Sequence, residues 1–125
     1  MSTISTAATW TEVQNSGRPI AGLKQVVVDS ESITVDKEIT SLWFKMIYND
    51  GRYVRYYAQY DCKRRLMRNR GTLFSADGLK QTELAGAGVV GPVVPETPSE
   101  SVFRAVCKPS QGDAFVDQSW PAFPK

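Results

Sequence analysis

The most regular alternation of apolar and polar positions in the chain runs from residue 53 to residue 62. Apolar side chains occupy every second position, namely Val54, Tyr56, Ala58, Tyr60 and Cys62. The positions between them are polar, charged or aromatic, namely Tyr53, Arg55, Tyr57, Gln59 and Asp61. Because successive strand residues point to opposite faces of a sheet, the pattern predicts a half-buried antiparallel strand. Strand-like sequence extends around it over residues 42–73.

Further strands are predicted on both sides of this one. They lie at residues 10–14, 23–29, 33–37 and 39–48. The Asn-Asp-Gly sequence at residues 49–51 favours a tight hairpin, since glycine tolerates positive φ. After Cys62 the alternation weakens, which predicts a bent strand as far as Phe74 with a bulge at Gly71. Residues 79–95 are rich in glycine and alanine and predict a long loop with at most one short strand, at 89–90 or 93–94.

The clearest helix signal begins at Thr97. Thr97 suits the N-cap, Pro98 suits the first helical position, and Glu100 can reach back to complete a capping box. The apolar residues that follow share one helical face, namely Val102, Phe103, Val106 and Cys107. Together these elements predict an α+β fold, with an antiparallel, meander-like sheet of about five to six strands and a C-terminal helix packed on one face.

The length of the chain, 125 residues, is that of one domain. We assign this domain to residues 10–108, and we expect a disordered segment at 1–9 and a tail at 109–125. The tail carries Phe115, Trp120 and Phe123 among prolines. We expect these rings to pack back on the sheet or to stay loose, rather than to form a recognition motif.

Export is not decided by the sequence itself. No apolar run approaches the roughly 20 residues that a membrane helix needs. The first nine residues have neither the basic start nor the apolar centre of a secretory signal. Either the chain is cytoplasmic, or a signal was removed and Met1 follows it.

The chain contains no histidine. This removes the usual general base, the histidine-activated nucleophiles and a common zinc ligand. The acidic residues at 29, 31, 36 and 38 lack the spacing of a calcium loop. Asp61, which is followed by three basic residues, is expected to be an ion-paired structural residue. We therefore predict no catalytic residue, no metal site and no cofactor.

The two cysteines, Cys62 and Cys107, are far apart in the sequence and lack CxxC spacing. One interpretation is a long-range disulfide formed in an oxidising compartment. The other is a pair of free thiols in the core, since free cysteine is among the most buried residue types. The residues alone leave both interpretations open.

Basic residues are concentrated between positions 52 and 70, where seven of them accompany a single carboxylate, that of Asp61. The candidate ligand-binding residues of this segment are Arg52, Tyr53, Arg55, Tyr57, Arg64, Arg65 and Arg68. One interpretation is a surface for nucleic acid, another polyanion or an acidic partner, with tyrosines stacking beside arginines. The other is a solvated sheet face and edge whose charges prevent aggregation. The basic residues fall on both strand parities, which favours the second interpretation.

Several short motifs, taken in their order along the chain, resemble a known family. They are Trp10, Val27-Val28-Asp29-Ser30-Glu31-Ser32-Ile33, Leu42-Trp43-Phe44-Lys45, Asp61-Cys62-Lys63-Arg64-Arg65, and Val94-Pro95-Glu96 before a helix ending at Cys107. Their order and spacing over residues 10–108 resemble the surface-adhesin protein E family of bacterial envelope proteins.

The resemblance implies a Cys62–Cys107 disulfide and export to the periplasm or the bacterial cell surface. It also implies an adhesin-like function, in which the protein binds host or extracellular-matrix proteins, and we expect the protein to be non-enzymatic. The chain differs from the family pattern in having no lipobox cysteine and in extending beyond Cys107. The alternative function is a cytoplasmic binder of nucleic acid or another polyanion through residues 52–70. A hydrolase is a third hypothesis, which needs two carboxylates a few ångströms apart in a cleft.

Overall fold

A computed structural model describes residues 8–15, 17–107 and 120–124 of the chain. Within these ranges the protein forms one sheet of eight strands and a single α-helix. The strands are β1 (Trp10–Val13), β2 (Leu23–Asp29), β3 (Thr34–Asp36), β4 (Ile39–Tyr48), β5 (Tyr53–Asp61), β6 (Leu66–Phe74), β7 (Lys80–Glu83) and β8 (Gly91–Pro92), and the helix is α1 (Pro98–Val106). Most of the segment predicted to be disordered, and most of the predicted tail, lie outside the described residues.

The sheet is built mainly from strands that pair with their neighbours in the sequence. The main path runs β1-β2-β4-β5-β6-β7, and each pairing in it is antiparallel. The short β3 pairs with the start of β4, and the short β8 pairs with the start of β6. The prediction of an antiparallel sheet followed by a C-terminal helix is confirmed.

The predicted number of strands, five to six, is wrong, since the sheet has eight. All residues of β7 are exposed, and the sequence Lys-Gln-Thr-Glu has no apolar position that could alternate. β8 consists of Gly91 and Pro92, two residues that are depleted in strands. Both strands pair with β6. They form because β6 offers a hydrogen-bonding edge, and not because their own side chains need burial.

Gly71 does not form the bulge that its position predicts. β6 stays in register with β5 along its whole length, and Gly71 lies opposite Tyr56. A Cβ atom at this glycine would lie 2.7 Å from Cε1 of the Tyr56 ring. That ring stacks on Phe44 with 4.9 Å between the centroids, so it has little freedom to move. Glycine at position 71 therefore makes room for an aromatic ring.

The core lies between α1 and one face of the sheet. The buried residues that form it are Val26, Val28, Leu42, Phe44, Ala58, Tyr60, Val93, Val102 and Phe103. They include alternate residues of the central strands β4 and β5, as the sequence pattern predicts. Cys62 and Cys107 pack against this cluster at its margin.

The start of α1 is capped largely as predicted. The Thr97 hydroxyl oxygen accepts a hydrogen bond from the backbone N–H of Glu100 at 3.3 Å. The Glu100 carboxylate reaches back one residue further than a capping box requires, because it accepts from the N–H of Glu96 at 3.2 Å. The turn before the helix also touches the β1–β2 connection, where a Cβ atom at Gly17 would lie 2.6 Å from the Glu96 carbonyl carbon.

A disulfide joins Cys62, directly after β5, to Cys107, directly after α1. The two Cα atoms are 5.5 Å apart, and 45 positions separate the residues in the sequence. The disulfide that the resemblance implies is confirmed, and the interpretation as two free thiols is wrong. At the other end of α1, the Tyr60 hydroxyl donates a hydrogen bond to the Ser99 carbonyl oxygen at 3.1 Å. The helix is therefore attached to the sheet at both of its ends.

Burial raises the pKa of the Tyr60 phenol well above its ordinary value, and the hydrogen bond to Ser99 offsets only part of that rise. Above about pH 10 an unfolded tyrosine loses its proton while the buried one keeps it. The unfolded state then binds fewer protons than the folded state, so the free energy of unfolding falls as the pH rises.

We expect Tyr60→Phe to remove this part of the pH dependence. The variant should also be less stable at neutral pH by about 1 kcal/mol, because the Ser99 carbonyl loses its donor. Urea unfolding of both proteins from about pH 8 to about pH 11 measures the two effects. Parallel stability profiles for the two proteins would show that Tyr60 does not contribute to the alkaline loss of stability.

Candidate ligand-binding face

The face of the sheet opposite α1 carries the side chains that alternate with the core. We call it the cationic face and define it by Trp43, Lys45, Tyr53, Arg55, Tyr57, Gln59, Arg68, Arg70 and Phe74. The register places Lys45 opposite Arg55, and it places Tyr57 between Trp43 and Arg70. Side chains directly opposite each other on paired strands are close neighbours, so these residues form one continuous surface.

The structure divides the predicted ligand residues among three locations. Those that lie on the cationic face are Tyr53, Arg55, Tyr57 and Arg68. Arg52 lies in the β4–β5 hairpin and pairs with Asp50 at 2.7 Å. Arg64 and Arg65 lie in the β5–β6 turn, at the opposite end of β5. The charge run of the sequence is therefore not one patch, because its turn residues lie away from its strand residues.

The turn arginines form structural ion pairs. Arg64 pairs with Asp61 at 3.1 Å, and Asp61 also accepts hydrogen bonds from the backbone N–H groups of Lys63 and Arg64 at 3.2 and 3.0 Å. Arg65 pairs with Glu100 of α1 at 3.1 Å. The ion pair predicted for Asp61 is confirmed.

Arg55 is the central cation of the cationic face. Its guanidinium carbon lies 5.1 Å from the centroid of the Trp43 ring and 4.8 Å from that of Phe74. Trp43 is in turn fixed by an edge contact with Tyr57, and Phe74 by a stack on Tyr53, each at 5.0 Å between centroids. Among residues 8–15, 17–107 and 120–124, no carboxylate lies within ion-pair distance of Arg55. Aromatic rings therefore hold this charge in place without neutralising it.

Lys45 is a second cation of this face, although it is not among the ligand residues predicted from the sequence. Its amine lies 4.1 Å from the centroid of the Trp10 ring and 5.0 Å from that of Tyr53. Burial lowers the pKa of Lys45, and the positive charge of Arg55 lowers it further, while Asp29 opposes both effects. Lys45 is two residues after Trp43, so strand alternation alone predicts that both side chains lie on the same face of the sheet. Its position opposite Arg55 follows only from the register.

Two adjoining recesses open on the cationic face, with volumes of about 430 and 380 Å³. Both are lined by Trp43, Arg55 and Arg70. The larger extends towards Glu83 and Leu84, and the smaller towards Trp10 and Asp29. Each recess thus combines arginine with aromatic surface and has one carboxylate at its margin. Such a site suits an anionic group that is attached to a less polar body.

A larger groove, of about 470 Å³, lies on the other side of the molecule. It runs between α1 and β1, and its lining includes Val13, Val28, Ile33 and Val106. Glu12 and Arg104 are the charged residues of its lining. This groove contains none of the predicted ligand residues.

The end of the chain packs on the cationic face. The carbonyl oxygen of Pro121 accepts hydrogen bonds from Gln59 Nε2 at 2.8 Å and from Arg68 Nη2 at 2.5 Å. The Phe123 ring meets Tyr57 edge-on, with 5.8 Å between centroids. The expectation that tail aromatics pack back on the sheet is confirmed for Trp120 and Phe123, whereas Phe115 lies outside the described residues.

Metal-binding and membrane-spanning features are absent from the part of the chain that the structure describes. It contains no group of three or more cysteine, aspartate or glutamate side chains suited to a metal ion. No helix in it is long and apolar enough to cross a bilayer. No known family, curated protein or solved structure matches the chain. The resemblance to the surface-adhesin protein E family therefore rests on the motifs quoted above.

Proposed function

We propose that this chain is an exported, non-enzymatic binding protein of the bacterial envelope, with an adhesin-like role. Its cationic face holds an acidic segment of a protein ligand, such as a host or extracellular-matrix protein. The observation that carries the proposal is Arg55, which two aromatic rings hold at the wall shared by two recesses.

The chemistry of Arg55 supports recognition of a carboxylate. A guanidinium that stacks on aromatic rings keeps the N–H groups along its edge available, and this planar fork matches the two oxygens of a carboxylate. The rings also fix the side chain before the ligand arrives, which reduces the entropy lost on binding. Arginine and aromatic residues in such an arrangement are typical of the residues that dominate protein interfaces.

The disulfide supports the exported location. Structural disulfides form and persist in oxidising compartments such as the periplasm and the cell surface, and they are rare in the cytosol. The Cys62–Cys107 bridge is compatible with either of these locations. The resemblance to envelope proteins, based on the motifs around both cysteines, points in the same direction.

The distribution of charge favours a protein ligand over a polyanion. A protein that tracks nucleic acid neutralises several phosphates along the backbone, which needs a row of available cations. Here Arg52, Arg64 and Arg65 are each paired with a carboxylate. Arg68 and Arg70 donate to carbonyl oxygens of the tail. The cationic face thus offers a local site around Arg55 and Lys45 rather than a row.

We expect Arg55→Ala to weaken binding to a coated basement-membrane extract by about tenfold or more, as loss of a charge-assisted hydrogen bond predicts. Arg55→Lys should recover binding only in part, because lysine keeps the charge and loses the planar fork. The matched control is Arg52→Ala, which removes an exposed arginine from the hairpin, outside the cationic face. Surface plasmon resonance with the full chain measures all four proteins.

Two results would contradict this proposal. One is an equal loss of matrix binding in Arg52→Ala and Arg55→Ala, which would indicate a general charge effect. The other is tighter binding to a single-stranded oligonucleotide than to the matrix extract, with an affinity that falls steeply as salt is added. That second result would favour the polyanion function.

A further inference from the structure

The tail residues 120–124 occupy a groove of their own on the cationic face. We call it the tail groove and define it by Tyr57, Gln59, Arg68, Arg70 and Gly88. The sequence of the segment, Trp-Pro-Ala-Phe-Pro, alternates aromatic residues with prolines. Its aromatic and proline residues are half-buried, and Ala122 is exposed.

The groove recognises the main chain of the segment through side-chain donors. Gln59 and Arg68 both donate to the Pro121 carbonyl oxygen, at 2.8 and 2.5 Å, and Arg70 donates to that of Pro124 at 2.9 Å. Proline has no N–H group, so its main chain can be recognised only as an acceptor. The donors of the groove match the acceptors that such a segment presents.

Gln59 and Arg68, which donate to the Pro121 carbonyl oxygen, are also hydrogen-bonded to each other. The Gln59 side chain is fully buried, and its Oε1 accepts from Arg68 Nε at 2.6 Å while its Nε2 donates to the tail. A buried amide of this kind is costly unless both of its ends have partners. The tail carbonyl supplies the second partner, so the groove is built to hold an acceptor at this point.

Both aromatic rings of the segment make specific contacts in the groove. The Arg68 guanidinium lies against both of them, 4.3 Å from the centroid of Phe123 and 5.5 Å from that of Trp120. Tyr57 closes one side of the Phe123 ring. A Cβ atom at Gly88 would lie 3.6 Å from the same ring, so the loop before β8 closes another. Aromatic surface and donors to carbonyl oxygens are the means by which proline-rich segments are recognised.

From these contacts we infer that the tail groove is a peptide-binding site, and that residues 120–124 are an exchangeable internal ligand. The partner is an extended peptide of a second protein that presents aromatic residues followed by proline, and it replaces the tail in the groove. This site does not depend on the acidic ligand proposed for the recesses, since Arg55 takes no part in it. Arg70 is the residue that the two sites share.

The test uses the full chain and a labelled peptide with the sequence of residues 119–124, Ser-Trp-Pro-Ala-Phe-Pro. The variant Trp120→Ala/Phe123→Ala weakens the internal ligand, so we expect it to bind this peptide at least about tenfold more tightly than the unmodified chain does. Adding Arg68→Ala to the variant should reduce the affinity by about tenfold, as loss of a charge-assisted hydrogen bond predicts. Adding Arg52→Ala instead is the matched control and should change nothing. Fluorescence anisotropy reports the affinities.

A control peptide, Ser-Ala-Pro-Ala-Ala-Pro, keeps both prolines and lacks both rings, and it should not bind. Equal binding of the two peptides, or equal affinity of the variant and the unmodified chain for the first peptide, would overturn the inference.

If the variant does not fold, NMR titration of the unmodified chain with excess peptide decides the question. Signals of residues 120–124 that move to random-coil positions support the inference, and signals that stay unchanged refute it. Concentration-dependent dimers that Phe123→Ala abolishes would show that a second copy supplies the same segment.

Discussion

Reduction of the Cys62–Cys107 disulfide lowers the free energy of unfolding by about 4 kcal/mol, which is the chain-entropy estimate for cysteines 45 residues apart. The cross-link removes conformations from the unfolded chain, so its loss stabilises the unfolded state. Urea unfolding with and without reductant measures this effect in the unmodified protein. Reduction breaks the cross-link but keeps both cysteine side chains, so it leaves their packing against the core in place. We expect the midpoint to move to a much lower urea concentration.

The double variant Cys62→Ala/Cys107→Ala separates the cross-link from the packing of the sulfur atoms. It should be at least as unstable as the reduced protein, because both cysteines also pack against the core cluster. Reductant should not change its stability. If the oxidised and reduced proteins unfold at the same urea concentration, the disulfide does not stabilise the attachment of α1 to the sheet.

Leu42→Ala destabilises the protein by about 2–5 kcal/mol, the usual range for removing a buried leucine side chain. Leu42 has no exposed surface and lies in β4, which pairs with β5 on one side and with β2 and β3 on the other. Leu42 belongs to the buried cluster between the sheet and α1, and the close packing of that cluster lets the surrounding side chains fill the cavity only in part. The cost therefore combines lost burial with the cavity that remains.

The matched control for this variant is Leu79→Ala. Leu79 is 65% exposed, so the same chemical change should alter the stability by less than about 0.5 kcal/mol. Urea unfolding of both variants at neutral pH gives the comparison. Similar losses at the two positions would mean that the core does not lie where the structure places it.

The elements that the sequence predicts well are those in which a local signal and burial agree. Strand β5 alternates regularly between core-facing and outward-facing positions, and the hairpin that precedes it has a glycine with a φ of 91° at position 51. The helix start combines a capping threonine with a proline. In these cases each residue favours the structure that the whole fold requires, so the sequence alone identifies the element.

The elements that the sequence does not predict depend on a partner elsewhere in the chain. The edge strand β7 lacks apolar positions and forms by pairing with β6. A glycine within a strand pattern predicts a bulge, but Gly71 is required because the Tyr56 ring on the neighbouring strand occupies the space of a Cβ atom. No signal in either segment reveals these neighbours.

The candidate site shows the same division. Alternation places Tyr53, Arg55 and Tyr57 on the face away from the core, and this much follows from the sequence. Whether an arginine remains available for a ligand depends on carboxylates that are distant in the sequence, as Glu100 is from Arg65, 35 positions away. The sequence determined which side chains alternate between core and surface, because strand geometry is local. Only the tertiary structure decided which charges are compensated and which are held by rings, because those contacts join strands, helix and tail.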